Sequence, residues 1–240
     1  MEAMNTYYVG GTVGDSYITL CKLYSIAIKE PILCRHFNGM CEKSVCEKLQ
    51  PTIREVYELL PNIKLEFLNK QSLDLGISGN FESSCLEKER NRYNLKQPEY
   101  YPKFELGDIG YLDLPKTYVT LQIKAGSHGY GNRSLAADRI RKVLEDSKLP
   151  IVIIGERTID LPTEDFDILD LRDNTTIKEV INIIKNSKHF YGLLGFLSFV
   201  ACSHKVMSSL WIKLSMDIKA VKFRQEAVEE WNKFLIKKEI

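Results

Sequence analysis

The chain has 240 residues, room for one large or two small domains at roughly 100–150 residues each, and carries 33 lysines and arginines against 32 aspartates and glutamates. With no long block of one sign, this balance argues against a nucleic-acid surface or a polybasic membrane patch and favours a small molecule or a protein as partner. No apolar run approaches the roughly 18 residues of a transmembrane helix, and no basic stretch followed by a hydrophobic segment opens the chain, so the expectation is a cytoplasmic protein.

Tyr7, Tyr8 and Val9 read as a short strand entering the turn Gly10-Gly11-Thr12-Val13-Gly14-Asp15. After it Tyr17, Leu20, Leu23, Tyr24, Ala27 and Ile28 recur at helical spacing. Pro31–Cys34 is a second strand, and Lys43–Leu60 carries a helical stripe that Pro51 is expected to divide in two. Ile63–Leu68 is a third strand. The six cysteines are scattered through a chain of ordinary apolar content and need no disulfide framework. Cys34, His36, Cys41 and Cys46 are side chains zinc accepts, but their spacing matches no common zinc pattern, so separate thiols are expected and no metal is assigned. Gly76–Gly107 is polar, without a sustained period, and reads as a long loop.

A second alternation begins at Tyr118–Lys124, a strand followed by a turn with Gly126, Gly129 and Gly131 and then a helix over Leu135–Leu144. Such a turn offers backbone N–H groups and the positive end of a helix dipole to an anion; the alternative is a βα loop whose glycines only let the chain turn. Ser127 and Ser134 add hydroxyls that bond phosphate, Arg133 adds a planar, fixed charge, and His128 is an inert loop histidine unless it makes a pH-sensitive contact there. Strands follow at Ile151–Ile154 and Ile168–Leu171, then a helix over Ile177–Ile184 with Thr175 or Thr176 as its cap. The pair Asp165 and Asp167 enters the Ile168 strand at its N-terminal end, away from where ligands bind such sheets. His189–Leu193 reads as a strand, Leu194–Ser198 as a turn, Phe199–Met207 as a buried helix and Ile218–Ile240 as an amphipathic helix. Strand and helix alternate throughout, in two sets that divide near residue 115, which argues an α/β fold with two parallel sheets facing a cleft.

The opening Gly10–Asp15 turn and the helix after it resemble the start of the heptosyltransferase-like glycosyltransferases, which have the two-domain GT-B fold. Val119–Ser127 is similar to the strand and small-residue turn that open the donor domain of that family, and Ile151–Glu156 to its second strand and glycine. Ile177–Ser187 resembles the helix ahead of its last signature loop, and Leu193–Ala201 stands at that loop. There the family reads aspartate, serine, glycine, two variable positions and histidine; here Leu193 and Leu194 replace the first two, Gly195 is kept, and Ser198 takes the place of the histidine.

The resemblance implies two Rossmann-like domains, 1–115 on the acceptor side and 116–240 binding a nucleotide sugar, with a C-terminal helix crossing back onto the first. It implies an inverting, metal-independent transfer from a nucleotide sugar to a hydroxyl of an unknown glycan, lipid-linked sugar or small molecule, with no cofactor. Asp15 is then the base, unless it only caps the following helix. Gly11 and Gly14 shape the acceptor-side turn. The donor is held by Ser127, Gly129, Gly131, Arg133 and Ser134, with Gly195, Phe196, Leu197 and Ser198 as a second N–H cradle unless that loop has become core. Glu156 meets a base or ribose hydroxyl, or is a solvated loop charge. Two rival readings share this frame: an inactive relative that binds a nucleotide or sugar as a partner protein, and an epimerase or hydrolase of nucleotide sugars.

Overall fold

A computed structural model describes residues 4–37, 43–68, 102–125, 133–157, 161, 165–212 and 233–239. The described residues up to Glu105 form one unit and those from Leu106 onward a second. Segment 106–115, expected with the first half, reaches into the second through Asn182 Nδ2, which donates to the Gly107 carbonyl at 3.0 Å. No helix among the described residues is long and apolar enough to cross a membrane.

The first unit is built from β1 (Asn5–Gly10), β2 (Ile32–Phe37) and β3 (Ile63–Leu68), parallel and in the order β1-β2-β3. They are joined by α1 (Val13–Ala27) and α2 (Lys43–Tyr57). The period of two along β2 buries Ile32, Cys34 and His36 on one face, where Ile53, Val56 and Tyr57 of α2 are also buried. The apolar side of α1 is covered by a segment distant in sequence. Phe104 meets the Tyr17 ring at 6.0 Å and the Tyr24 ring at 5.9 Å, both edge-on, while Tyr24 Oη accepts from the Lys103 N–H and donates to the Lys103 carbonyl, each at 3.2 Å. Contrary to expectation, Pro51 does not divide α2, which runs unbroken from Lys43 to Tyr57. Pro51 is exposed, so the turn that lacks its N–H opens onto solvent rather than into the core.

The second unit is a six-stranded parallel sheet of β4 (Val119–Gln122), β7 (Ile151–Ile154), β8 (Ile168–Asp170), β9 (Phe190–Leu193), β10 (Ser208–Ile212) and β11 (Leu235–Glu239). A separate antiparallel pair, β5 (Lys124–Ala125) and β6 (Arg133–Ser134), follows β4. The helices are α3 (Ala137–Asp146), α4 (Ile177–Asn186) and α5 (Phe196–Ser203). Counted within the unit, the sheet order is 3-2-1-4-5-6, the doubly wound order whose direction of winding reverses between β4 and β9. One face of the core stacks Leu121, Ile151 and Ile153 with Ile140, Val143 and Leu144 of α3. Each such side chain, fully buried, contributes about 1.5–3 kcal/mol. Thr176 caps α4 as expected: its N–H and hydroxyl donate to Glu179 Oε2, and its Oγ1 accepts from the Glu179 N–H.

Three local expectations are corrected. The glycine turn does not run straight into a helix, because Arg133 and Ser134 pair with Ala125 and Lys124 in β6, and α3 begins only at Ala137. The helix after Gly195 starts at Phe196 rather than Phe199 and ends at Ser203, and β10, unforeseen, follows it. The helix expected over Ile218–Ile240 is contradicted at its end: Leu235–Glu239 is a strand, paired from Ser208↔Leu235 to Ile212↔Glu239, and 213–232 lie outside the described residues. Main-chain pairing to a neighbour 27 positions earlier in that register overrides the local 3.6-residue stripe.

Candidate functional site

In the first unit, the β1–α1 turn is shaped by close approach of backbone. A Cβ on Gly10 would stand 2.9 Å from the Phe37 carbonyl oxygen. Gly11 has φ +117°, and a Cβ there would meet Asp15 Cβ at 2.4 Å, so only glycine admits Asp15 where it sits. Gly14 is the second residue of α1. Asp15 stands at the third helical position, and its Oδ2 accepts from the Thr12 N–H and the Thr12 hydroxyl, both at 2.9 Å. The carboxylate therefore caps the helix, one of the two roles weighed for it, and the same bonds fix its position at the carboxyl end of β1.

Behind this turn lies a residue that sequence reasoning grouped only with the cysteines. His36 is fully buried on β2, with its Nε2 at 3.1 Å from the Gly11 carbonyl. A carbonyl only accepts, so Nε2 carries the proton and the ring is the neutral tautomer with Nδ1 as acceptor; Nδ1 is buried without a partner. The rings of Tyr57 and Phe67 flank it edge-on at 5.9 and 5.8 Å. Burial pushes the His36 pKa down to about 4. Its neighbour Cys34 is also buried, and burial pushes that thiol up to about 12, so it is an inert core residue. Cys41 and the side chain of Cys46 lie outside the described residues.

In the second unit His204, at the end of α5, is likewise held at about 4 by burial, with the Lys185 charge adding to it. Both histidines titrate near 6.5 when unfolded, so between pH 6.5 and 4 the unfolded chain binds protons that the native one refuses. Stability is thus complete above about pH 6.5 and falls on acidification by on the order of 1.4 kcal/mol per pH unit for each histidine. Urea unfolding at pH 7 and pH 5 should show a lower midpoint at pH 5, with about half the fall in His204→Leu; an unchanged midpoint in the wild type would contradict these assignments.

The second unit carries the larger set of candidate residues at the carboxyl ends of its strands. Ser127, Gly129 and Gly131 lie outside the described residues, as does His128. Arg133 and Ser134 lie on β6, the first half-buried and the second exposed. Glu156, after the Gly155 turn, takes Lys124 Nζ at 2.6 Å, with the lysine side chain 17 % exposed and the glutamate 66 %. Beside them Asp170 takes Arg172 in a two-pronged pair, Nε to Oδ1 at 2.8 Å and Nη2 to Oδ2 at 2.7 Å, and Arg157 Nη2 joins at 3.2 Å. The Arg172 guanidinium holds the Asp170 carboxyl below its ordinary value.

At the start of α5, Ser198 Oγ accepts from the Gly195 N–H at 3.0 Å and donates to the Gly195 carbonyl at 2.8 Å. The hydroxyl that replaces the histidine is thereby committed to the local backbone, and Leu193, Leu194, Leu197 and Phe199 are buried, with Phe196 partly so. What remains for an anion at this point is the N–H end of the helix itself. The structure does bring this helix start together with the end of β5: a Cβ on Gly195 would lie 3.9 Å from Ala125 Cβ. A residue the sequence reading passed over completes the description. Arg139, in the first turn of α3 just after β6, has its Nη1 buried with no hydrogen-bond partner among the described residues. Only its position four residues after the expected Ser134–Leu135 boundary hinted at this.

No family model matches the chain, and no curated protein sequence matches it. Solved structures do. The chain superposes on the glycosyl transferase family 9 protein of Veillonella parvula DSM 2008 with a TM-score of 0.61 at 10% identity, covering 100% of this chain and 87% of that one. It matches the E. coli ADP-heptose lipopolysaccharide heptosyltransferase II with a TM-score of 0.53 at 12% identity, over 89% of this chain and 86% of that one. The fold is GT-B. At these identities the likeness is one of fold, and it agrees with the parallel βαβ units and the 3-2-1-4-5-6 sheet described above.

Proposed function

We propose that this GT-B chain is a glycosyltransferase that takes a sugar from a nucleotide-sugar donor and passes it to a hydroxyl acceptor. The observation that carries the reading is Arg139, a guanidinium nitrogen buried with no acceptor among the described residues, in the first turn of α3 shortly after β6. A buried donor without a partner destabilises the empty protein, and an anion at that turn would satisfy it. The diphosphate of a donor fits that chemistry, with Arg133 beside it and the start of α5 as a further dipole end. In this reading Asp15 takes the proton of the acceptor hydroxyl, the acceptor oxygen bonds to the anomeric carbon, and the diphosphate leaves with the electrons of the broken bond. No metal or cofactor enters the scheme.

The matched E. coli protein is named for ADP-heptose, which makes ADP the first ligand to try. In a thermal-shift panel of ADP, UDP, GDP, CDP and dTDP, one nucleotide at about 100 times its Kd should stabilise the protein by about 2.7 kcal/mol, and Arg139→Ala should remove most of that shift. No shift with any of them would contradict the proposal.

A second reading has an observation of its own. Ser198 is occupied by the Gly195 backbone and Leu193 and Leu194 are buried, so the α5 start offers no acid, base or charged side chain. That favours a protein that binds a nucleotide sugar without turnover, and it predicts the same thermal shift with no consumption of donor.

A further inference from the structure

Gln122 is the last residue of β4, at the point where the sheet reverses its direction of winding. Ligands of doubly wound sheets bind in the crevice outside the strand ends at that reversal. Gln122 is 6 % exposed, and its Oε1 is buried with no hydrogen-bond partner among the described residues. An amide withdrawn from water and left unpaired is destabilising, and buried side-chain amides are normally satisfied.

The surroundings leave it so. A glycine stands on either side of it, Gly155 in the turn directly after β7 and Gly192 on β9. A Cβ on Gly155 would lie 3.9 Å from Gln122 Cγ and 4.0 Å from Leu197 Cδ1, and one on Gly192 would lie 3.0 Å from Gln122 Cβ. The stem of the Gln122 side chain is thus flanked by two glycines: at Gly155 the missing Cβ leaves room beside Cγ, whereas Gly192 is required first by the Phe190 ring, 2.8 Å from where its Cβ would lie. Gly155 also has φ +102°, a conformation that keeps a side chain out of this position.

We propose that Gln122 is a specificity-determining residue that hydrogen-bonds a hydroxyl of the donor, on its ribose or on the transferred sugar; this rests on the nucleotide-sugar reading above. A hydroxyl both donates and accepts, so it satisfies the amide whichever way the amide is turned, whereas a phosphate oxygen would satisfy only its N–H groups. A site built around such a pair discriminates against a ligand that lacks the hydroxyl, because the amide would again be buried and unpaired.

The test is Gln122→Met, a volume-conserving change that removes the amide. Binding is titrated for ADP, UDP and GDP and for ADP-glucose, UDP-glucose and GDP-mannose, and the thermal midpoint of the unliganded protein is measured alongside. The expected result is affinity weakened about tenfold with an unliganded midpoint equal to or above that of the wild type. A loss already present with the nucleoside diphosphate assigns the ribose hydroxyl, and a loss confined to the nucleotide sugar assigns the transferred sugar. Equal binding by wild type and variant overturns the assignment of Gln122 alone. A variant that binds less but also unfolds several degrees lower overturns it too, since Gln122 would then be a core residue. If the wild type binds none of the six, the nucleotide-sugar reading falls and takes the role of Gln122 with it.

Discussion

Asp15→Asn should reduce sugar transfer by about 10²–10⁴-fold, the usual contribution of a general base, while leaving nucleotide affinity within about twofold. The asparagine oxygen can still accept from the Thr12 N–H, so the cap that orders the start of α1 largely survives. Gly11 and His36 still hold the turn. What is lost is the capacity to take a proton. Arg139 and the start of α5, where the donor is proposed to bind, belong to the second unit and are unaltered. The measurement is the initial rate of nucleoside diphosphate release in the presence of an acceptor that the wild type uses, paired with a nucleotide titration. Unchanged release would leave Asp15 as a cap only. A drop in rate accompanied by an equal drop in thermal midpoint would give the effect to folding rather than to chemistry.

Asp170→Ala should lower the unfolding free energy by about 2–3 kcal/mol, below the range for a fully buried pair because the Asp170 side chain is 21 % exposed while that of Arg172 is 2 % exposed. Arg172 is 2 % exposed, and Asp170 supplies both prongs of its pairing as well as an acceptor for the Arg172 N–H at 3.2 Å. Removing the carboxylate takes that partner from a guanidinium that water scarcely reaches. The loss extends beyond the pair, since Arg157 also bonds Asp170 while its N–H donates to Asp173 Oδ2 at 3.1 Å, and the Asp173 N–H donates to the Gly155 carbonyl at 2.9 Å. The end of β8 and the turn after β7 are therefore one hydrogen-bonded piece, and donor affinity should fall along with stability. Urea unfolding of Asp170→Ala, Arg172→Met and the double variant checks this: the double variant should lose clearly less than the sum of the singles. The pH window differs from that of the histidines. The Arg172 guanidinium holds the Asp170 carboxyl below the ordinary aspartate value, so its contribution is complete above about pH 4 and lost only as the pH falls below that.

How far the sequence disclosed this structure depends on where each element finds its partners. Ile151–Ile154 and Ile63–Leu68 were legible because a short apolar or alternating run bounded by polar residues has few other uses. The Thr176 cap was legible because its chemistry is local. β10 was not, since it opens with Ser208 and Ser209, whose hydroxyls are satisfied by the Val206 carbonyl and by His189 Nε2 at 3.0 Å, partners that no pattern in the strand itself announces. β11 was misread as helix for the same reason, its conformation being set by β10.

The candidate site divides in the same way. Asp15 and the glycines around it could be singled out because a glycine–aspartate turn after a strand is a local motif. His36, Arg139 and Gln122 could not. Their significance lies in a carbonyl 25 positions away, and in a guanidinium nitrogen and an amide oxygen that are buried with no partner among the described residues.

The most direct test of the account is a crystal structure of the protein with a bound nucleoside diphosphate, ADP first. The account predicts the diphosphate within hydrogen-bond distance of Arg139 Nη1 and near the start of α5, at the carboxyl ends of β4 and β9. A nucleotide bound elsewhere, with Arg139 still lacking an acceptor, would contradict it.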